Sequence, residues 1–248
     1  MYNPFSLENK TVLVTGASSG IGKAIAIECS KMGASVIITG RNEERLNQTF
    51  EYLEGSNHKQ IICDFHSEEN IQALSNQLPA LSGIVHVAGI VKTLPFQFVS
   101  SNELTNIFDV NFLAPTLLSQ TLIKTKKISK EASIVFISSI DGPVITHIGN
   151  SMYAASKGAI TAMAKNMAVD LASKQIRVNC ILPGTTETSM IYTDSITQEQ
   201  LDLDMKLHPL KRYGKPEEIA YAAIYFLSDA SAWTTGANLI IDGGFTLL

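Results

Sequence analysis

Thr11 to Gly22 reads T-V-L-V-T-G-A-S-S-G-I-G, and this stretch decides the fold. A short apolar strand centred on V-L-V runs straight into a glycine-rich turn. A helical pattern follows, with apolar residues at Ile21, Ile25, Cys29 and Met32, and stops at Gly33. Strand, glycine turn and helix in that order make the first half of a βαβ unit. Glycines at 16, 20 and 22 let the backbone take unusual dihedrals and approach a ligand closely. The helix start beyond them offers unpaired N–H groups and a positive dipole end, which suits a pyrophosphate. The spacing is not G-x-G-x-x-G, and a glycine turn by itself can be only a tight connection.

Outward from this unit the alternation continues. A second strand spans Ser35 to Thr39, a helix Asn42 to Glu54, a third strand Gln60 to Asp64, and a helix starts at Ser67 with Glu68 and Glu69 in its first turn. A fourth strand is expected over Ile84 to Ala88. The helix that follows opens at Ser100 on a capping box, S-S-N-E, and carries Asn111 and a Pro115 that should kink it. Strands at Ser133 to Ser138, Arg177 to Ile181 and Asn238 to Ile241, with helices from Ser151 and Pro216, complete the chain. Apolar strands alternating with helices predict an α/β fold: one doubly wound, Rossmann-like parallel sheet of about seven strands, helices on both faces, in a single domain over 1–248. Pro183 and Gly184 end the sixth strand, and the aperiodic stretch 185–210 is placed to be a lid, because ligands of such sheets lie beyond the carboxyl ends of the strands. Its Met190, Ile191, Tyr192 and Leu201 are apolar enough for an acyl chain or another hydrophobic ketone.

The helix from Ser151 to Ser173 sets Tyr153 and Lys157 four apart, on one face. An ammonium beside a phenol favours the phenolate, bringing a Tyr toward proton exchange near neutrality. The bland alternative is a core tyrosine and a solvated lysine. After the second strand, where an acidic residue would hold ribose hydroxyls and select NAD, the chain has Gly40 and Arg41. Arg41 can fork onto a 2′-phosphate, which favours NADP(H) over NAD(H), or can simply start the next helix.

Composition narrows the classes. At 248 residues, 45% hydrophobic and 17% charged, the chain suits one large soluble domain. A net charge of -4 gives nucleic acid or an acidic membrane no basic face. The one basic cluster, Lys124, Lys126, Lys127 and Lys130, sits where a helix should end and complements its dipole. Cys29, Cys63 and Cys180 are scattered and odd in number, which favours a reducing compartment and no disulfide. No signal peptide and no run of ~18 apolar residues is present, so a cytoplasmic location is expected. The histidines, His58, His66, His86, His147 and His208, show no metal-ligand spacing.

Taken together, these segments resemble the short-chain dehydrogenase/reductase family over essentially the whole chain. T-G-A-S-S-G-I-G (15 to 22), Asp64, Asn111, I-S-S (137 to 139), Y-A-A-S-K (153 to 157), P-G-T-T-E-T (183 to 188), R-Y-G-K-P-E-E-I-A (from 212) and D-G-G (242 to 244) carry the likeness in the family's order. The resemblance implies a catalytic set of Asn111, Ser139, Tyr153 and Lys157. Tyr153 would exchange a proton with the carbonyl oxygen, Ser139 would hydrogen-bond that oxygen, and Lys157 would lower the Tyr153 pKa and hold the nicotinamide ribose. Asn111 would anchor a water that relays protons. It also implies a cofactor cradle: Gly16, Ser18, Ser19, Gly20, Ile21 and Gly22 at the phosphates, Arg41 at the ribose, Asp64 and Phe65 at the adenine. Ala88 and Gly89 would permit close approach, and Pro183, Gly184, Thr186 and Thr188 would hold the nicotinamide beside Tyr153 and Lys157.

Four departures stand out. H-V-A-G (86 to 89) replaces the family's N-N-A-G, so His86 and Val87 stand where polar side chains usually support the sheet. Ser139 and Tyr153 stand one position further apart than is common, which lengthens the substrate loop 140–152 that carries His147. Thr186 occupies a position that is usually branched and apolar, and Ser19 one that is often Arg in NADP enzymes. The implied activity is hydride transfer between NADP(H) and a ketone/secondary-alcohol pair, closest in pattern to 3-oxoacyl-acyl carrier protein reductases. Sugars, steroids and other small ketones are alternatives, as is a regulator that binds the dinucleotide without chemistry. Apolar helix faces from Ser100 and Ser151 resemble those that pair subunits in this family, so a homotetramer or dimer is expected.

Overall fold

β1 (Thr11–Thr15) lies inside the sheet because its residues have apolar cover on both sides: Leu13 faces one helical layer, Val12 and Val14 the other. The structure, a computed structural model, describes residues 2–189 and 197–248. β2 (Ser35–Gly40) pairs with β1 in parallel, Val12 opposite Val36, and β4 (Leu81–His86) flanks its other side, Leu13 opposite Ile84. With β3 (Lys59–Ile62), β5 (Ile128–Ile137), β6 (Arg177–Pro183) and β7 (Asn238–Ile241), the order is β3-β2-β1-β4-β5-β6-β7, parallel throughout. The order reverses between β1 and β4, and at that switch point the carboxyl ends of the strands open a crevice.

Two cores result. Against one face pack α3 (Glu68–Gln77), α5 (Ala114–Lys124) and α6 (Ser151–Asp170), whose Leu74, Leu118 and Ile160 meet Leu13, Ile84 and Phe136. Against the other pack α1 (Gly20–Lys31), α2 (Glu43–Glu51) and α8 (Pro216–Leu227), whose Ile25, Leu46 and Ile219 meet Val14, Val36 and Val85. Each such buried Leu, Ile or Val stabilises the fold by about 1.5–3 kcal/mol. The three cysteines are free and buried, and burial pushes the thiols of Cys29 and Cys180 up to about 12 and that of Cys63 to about 11.

Several boundaries differ from the sequence expectation for local reasons. β4 ends at His86 rather than Ala88 because the Val87 and Ala88 N–H groups leave the ladder and donate to Thr15 Oγ1, at 3.0 and 3.2 Å. β5 starts at Ile128, ahead of the expected Ser133, and a register shift follows Leu81; Glu131 takes a left-handed φ of 66° there. At Ser100 half the expected capping box forms: its hydroxyl accepts from Glu103 N–H, while the Glu103 carboxylate turns to Lys92. Pro115 produces no break. α4 (Ser101–Phe108) passes through one wide π turn, Asp109–Leu113, into α5. A proline cannot donate to the carbonyl four residues back, and the ladder widens just before it instead of stopping. Lys127 caps a helix other than its own, donating to the Ser75, Asn76 and Leu78 carbonyls at the end of α3.

Candidate active site

The glycine turn closes on itself. A Cβ at Gly22 would stand 2.2 Å from Gly16 O, and one at Gly16 would meet Ala88 Cα at 2.8 Å, so neither position admits a side chain. Ser19 caps α1 without a side-chain bond, which leaves the first N–H groups of that helix to an incoming anion. Ser18 Oγ lies against Gly40 at the end of β2, and the Arg41 charge is felt at the Asp64 carboxyl, so 18, 40, 41 and 64 share one end of the crevice. Asp64 is held below the usual carboxylate range, chiefly by the His66 side chain at 2.8 Å. Phe65 is buried in the core between sheet and helices, so only its backbone can meet a nucleotide. This cradle of excluded side chains and free helix N–H groups fits a dinucleotide.

A cavity of about 710 Å³ runs from Ser19, Gly20 and Ile21 past Gly89 to Ser139, Tyr153 and Lys157, and on to Pro183–Thr188. β5 delivers Ser138 and Ser139 at its end. Ser138 fastens the strand to α6, bonding the Lys157 carbonyl at 2.9 Å and Thr161 Oγ1 at 2.8 Å. Ser139 Oγ accepts from the Asp141 N–H at 3.0 Å, which leaves its own proton to point elsewhere. From β6, Gly184 presses on Asp242, whose Cα a Cβ there would meet at 2.8 Å, and the buried Thr186 hydroxyl donates back to the Gly184 carbonyl. Thr188 reaches across so that its Cγ2 would stand 3.0 Å from a Cβ on Gly20.

Tyr153 and Lys157 do share a face of α6, but Lys157 does not lower the Tyr153 pKa. Its Nζ donates to the Ile137 carbonyl at 2.7 Å and lies 5.6 Å from the phenol ring centre. Burial dominates both groups. It pushes the Tyr153 phenol up to about 12, with the Ser139 hydroxyl pulling it back and the Asp141 charge pushing it further up. It pulls the Lys157 ammonium down to about 8. Asn111, on the π turn, is committed to structure. Its amide donates to the Ile90 carbonyl at 2.9 Å and Ser156 Oγ at 3.0 Å, and Oδ1 accepts from Ile90 N–H at 2.8 Å. One lone pair of Oδ1 is left for a water.

Beyond the reacting groups, the cavity wall is built by the loop 140–150 and the segment from α7 (Gln198–Met205) to Tyr213. Tyr213 bonds Asp204 Oδ2 at 2.9 Å, and Gly214 is stitched to Thr185 and Glu187, so the far end of the expected lid is tied to the exit of β6. Phe245 sits between His208 at 4.8 Å and His147 at 6.4 Å. Leu201 is buried against this wall; Met190, Ile191 and Tyr192 lie outside the described residues. The polar members Asp141, Asn150 and Thr93 were not anticipated from sequence. The available signal was an acidic residue two positions after Ser139, followed by Gly142 and Gly149.

A family model described as enoyl-(acyl carrier protein) reductase matches residues 16–246. The 3-oxoacyl-[acyl-carrier-protein] reductase FabG of Rickettsia felis is 33% identical over 242 residues, covering 98% of this chain and 99% of that protein. The chain is a short-chain dehydrogenase/reductase. Other relatives in the family include a tropinone reductase homolog of Arabidopsis thaliana, 34% identical across 98% of this chain and 94% of its own length. Glucose 1-dehydrogenase 2 of Bacillus subtilis is 33% identical across 97% and 96%. A short-chain type dehydrogenase/reductase from Mycobacterium marinum superimposes with a TM-score of 0.89 at 30% identity, covering 99% of this chain and 98% of that one. As a short-chain dehydrogenase/reductase the chain is an NAD(P)-dependent oxidoreductase acting on the CH–OH/C=O pair of a small molecule. Among the described residues no helix is long and apolar enough to cross a membrane, and no group of His, Cys, Asp and Glu is placed to hold a metal.

Proposed function

We propose that this enzyme transfers hydride between NADP(H) and a ketone/secondary-alcohol pair, working as a carbonyl reductase. The observation that carries the reading is the convergence of Ser139, Tyr153 and Lys157 at one end of a cavity whose other end is the glycine turn. The dinucleotide, when bound, supplies the hydride that adds to the carbonyl carbon. The chain supplies the proton. A phenol held near 12 stays protonated at neutral pH, so Tyr153 is armed as the acid that turns the carbonyl oxygen into the alcohol. Ser139, its oxygen already accepting from Asp141 N–H, donates to the same carbonyl oxygen and steadies its developing charge. Lys157 holds the nicotinamide ribose hydroxyls, and Asn111 positions Ile90 and, through its remaining lone pair, a relay water.

Arg41 at the exit of β2 supports NADP(H) over NAD(H), since that cation can pair with a 2′-phosphate. An Agrobacterium tumefaciens protein provisionally named a 2-deoxy-D-gluconate 3-dehydrogenase, 29% identical with a TM-score of 0.89 over all of both chains, carries bound NADP. Residues 185–210 act as the lid, in a single domain over 1–248. The named relatives point first to a 3-oxoacyl thioester as substrate. We further read the enzyme as cytoplasmic and as a homotetramer or dimer. The test is oxidation of NADPH and NADH against a carbonyl panel that includes an acetoacetyl thioester. Tyr153→Phe should lose on the order of 10²–10⁴ in turnover while still binding NADPH. Full turnover by that variant overturns the mechanism, and equal use of NADH overturns the role of Arg41.

A further inference from the structure

Two side chains of opposite charge meet at the dinucleotide end of the crevice, and they do not pair. Arg41 leaves the end of β2 directly ahead of Asn42, whose side chain caps α2 by accepting from Arg45 N–H at 2.8 Å. The cap fixes the backbone beside Arg41, while the guanidinium stays exposed and enters no ion pair among the described residues. Asp64 lies two residues beyond β3, the strand paired with β2, close enough for the Arg41 charge to be felt at its carboxyl. A half-exposed carboxylate near an unpaired guanidinium is ordinarily its partner. His66 takes that carboxylate instead. An ionised carboxyl only accepts, so the imidazole Nδ1 carries the proton of the 2.8 Å bond to Asp64 Oδ1. The His66 backbone N–H reaches the same oxygen at 3.2 Å. On its other edge the ring is braced against α4, with Nε2 2.9 Å from Asn106 Oδ1. Both ring nitrogens are thus engaged, and the carboxylate is held by His66 rather than by Arg41.

We propose that His66 is a positioning residue for coenzyme selection: it keeps Asp64 off Arg41, so that the guanidinium stays free for the 2′-phosphate of NADP(H). This rests on the pairing of Arg41 with that phosphate. The physics is a competition. Carboxylate and phosphate are both bidentate partners of a guanidinium, and a carboxylate that has captured Arg41 must be displaced before the phosphate can bind. Glu43 and Glu44, exposed in the first turn of α2, are the other anions that follow Arg41 in the chain, and neither pairs with it. NAD(H) carries a ribose hydroxyl in place of the phosphate and gains little from a free guanidinium. The effect of His66 therefore falls on the ratio of the two affinities and not on both alike.

The experiment measures Kd for NADPH and for NADH by fluorescence titration of the enzyme. It compares wild type, Arg41→Ala, His66→Ala, His66→Gln and the double variant Asp64→Ala/His66→Ala. Arg41→Ala should lower the preference for NADPH roughly tenfold or more, because charge-assisted bonds to phosphate are lost. His66→Ala should lower it about twofold to fivefold, the range of an exposed ion pair, with NADH binding nearly unchanged. His66→Gln can still donate to Asp64 and should keep most of the preference; a loss equal to that of His66→Ala counts against the proposal. In the double variant the competitor is gone and the preference should return, whereas a merely structural role for His66 is not rescued by a second truncation. A His66→Ala ratio equal to wild type, or a loss that persists in the double variant, overturns the proposal while leaving Arg41 in its role. If Arg41→Ala leaves the ratio unchanged, the 2′-phosphate reading itself falls and the proposal falls with it.

Discussion

Tyr153 and Lys157 were legible as a pair because four residues apart on a helix means one face. The direction of their titration was not, because it depends on which way Nζ turns and how dry the site is. In the structure both groups are driven toward neutrality, Lys157 falling to about 8 and Tyr153 rising to about 12. The sign for activity follows. Lys157 keeps its proton below about pH 8 and loses it above, while the phenol remains an acid across this whole window. The kcat/KM for NADPH-linked reduction should therefore fall above about pH 8 with loss of a single proton; a profile flat from pH 7 to 10 contradicts the role given to Lys157. Asp141 escaped the sequence reading for another reason. One acidic residue in a loop has no periodicity, and only the fold reveals that Gly142 and Asn150 pin it beside Ser139.

Among the elements, β4 illustrates how a departure from a family pattern is absorbed. His86 sits where a polar support is usual and serves as one: buried, stacked on Phe136 at 4.8 Å, and bonded through Nε2 to Ser119 Oγ at 2.8 Å. The support lost at Val87 comes from backbone N–H groups reaching Thr15 instead. Burial holds the His86 imidazole down at about 3 against an ordinary 6.5. A folded-state pKa below the unfolded one means that the unfolded chain takes up the proton first, so stability is lost as pH falls from 6.5 toward 3. Between pH 7 and pH 5 this amounts to about 2 kcal/mol. In urea unfolding, His86→Gln should lose that much less than wild type over the same interval; equal losses rule the effect out. The strand and helix types were readable from periodicity, whereas the ends were not, because side-chain bonds such as Thr15 to Val87 set them. The π turn was likewise hidden, since Pro115 announces a disturbed ladder without saying whether the helix bends, stops or widens.

For the whole molecule, the sheet was readable because the inner strands β1, β2, β4 and β6 are buried on both sides, whereas the edge strands β3 and β7 are largely exposed, and every connection is long enough for a crossover helix. What the chain exposes bears on assembly. Leu104 and Leu113 stand out of α4 and the π turn, Val169 out of α6, and Trp233, Leu239 and Ile240 surround the outer edge at β7. An edge strand with uncovered apolar side chains invites a partner. Light scattering on the eluted protein should return a dimer or tetramer mass, and monomer mass at micromolar concentration counts against the proposed assembly. Phe245, wedged between His147 and His208, joins the loop 140–150 to the segment that follows α7. The two halves of the cavity wall therefore lean on one ring, and neither can shift far without disturbing the other.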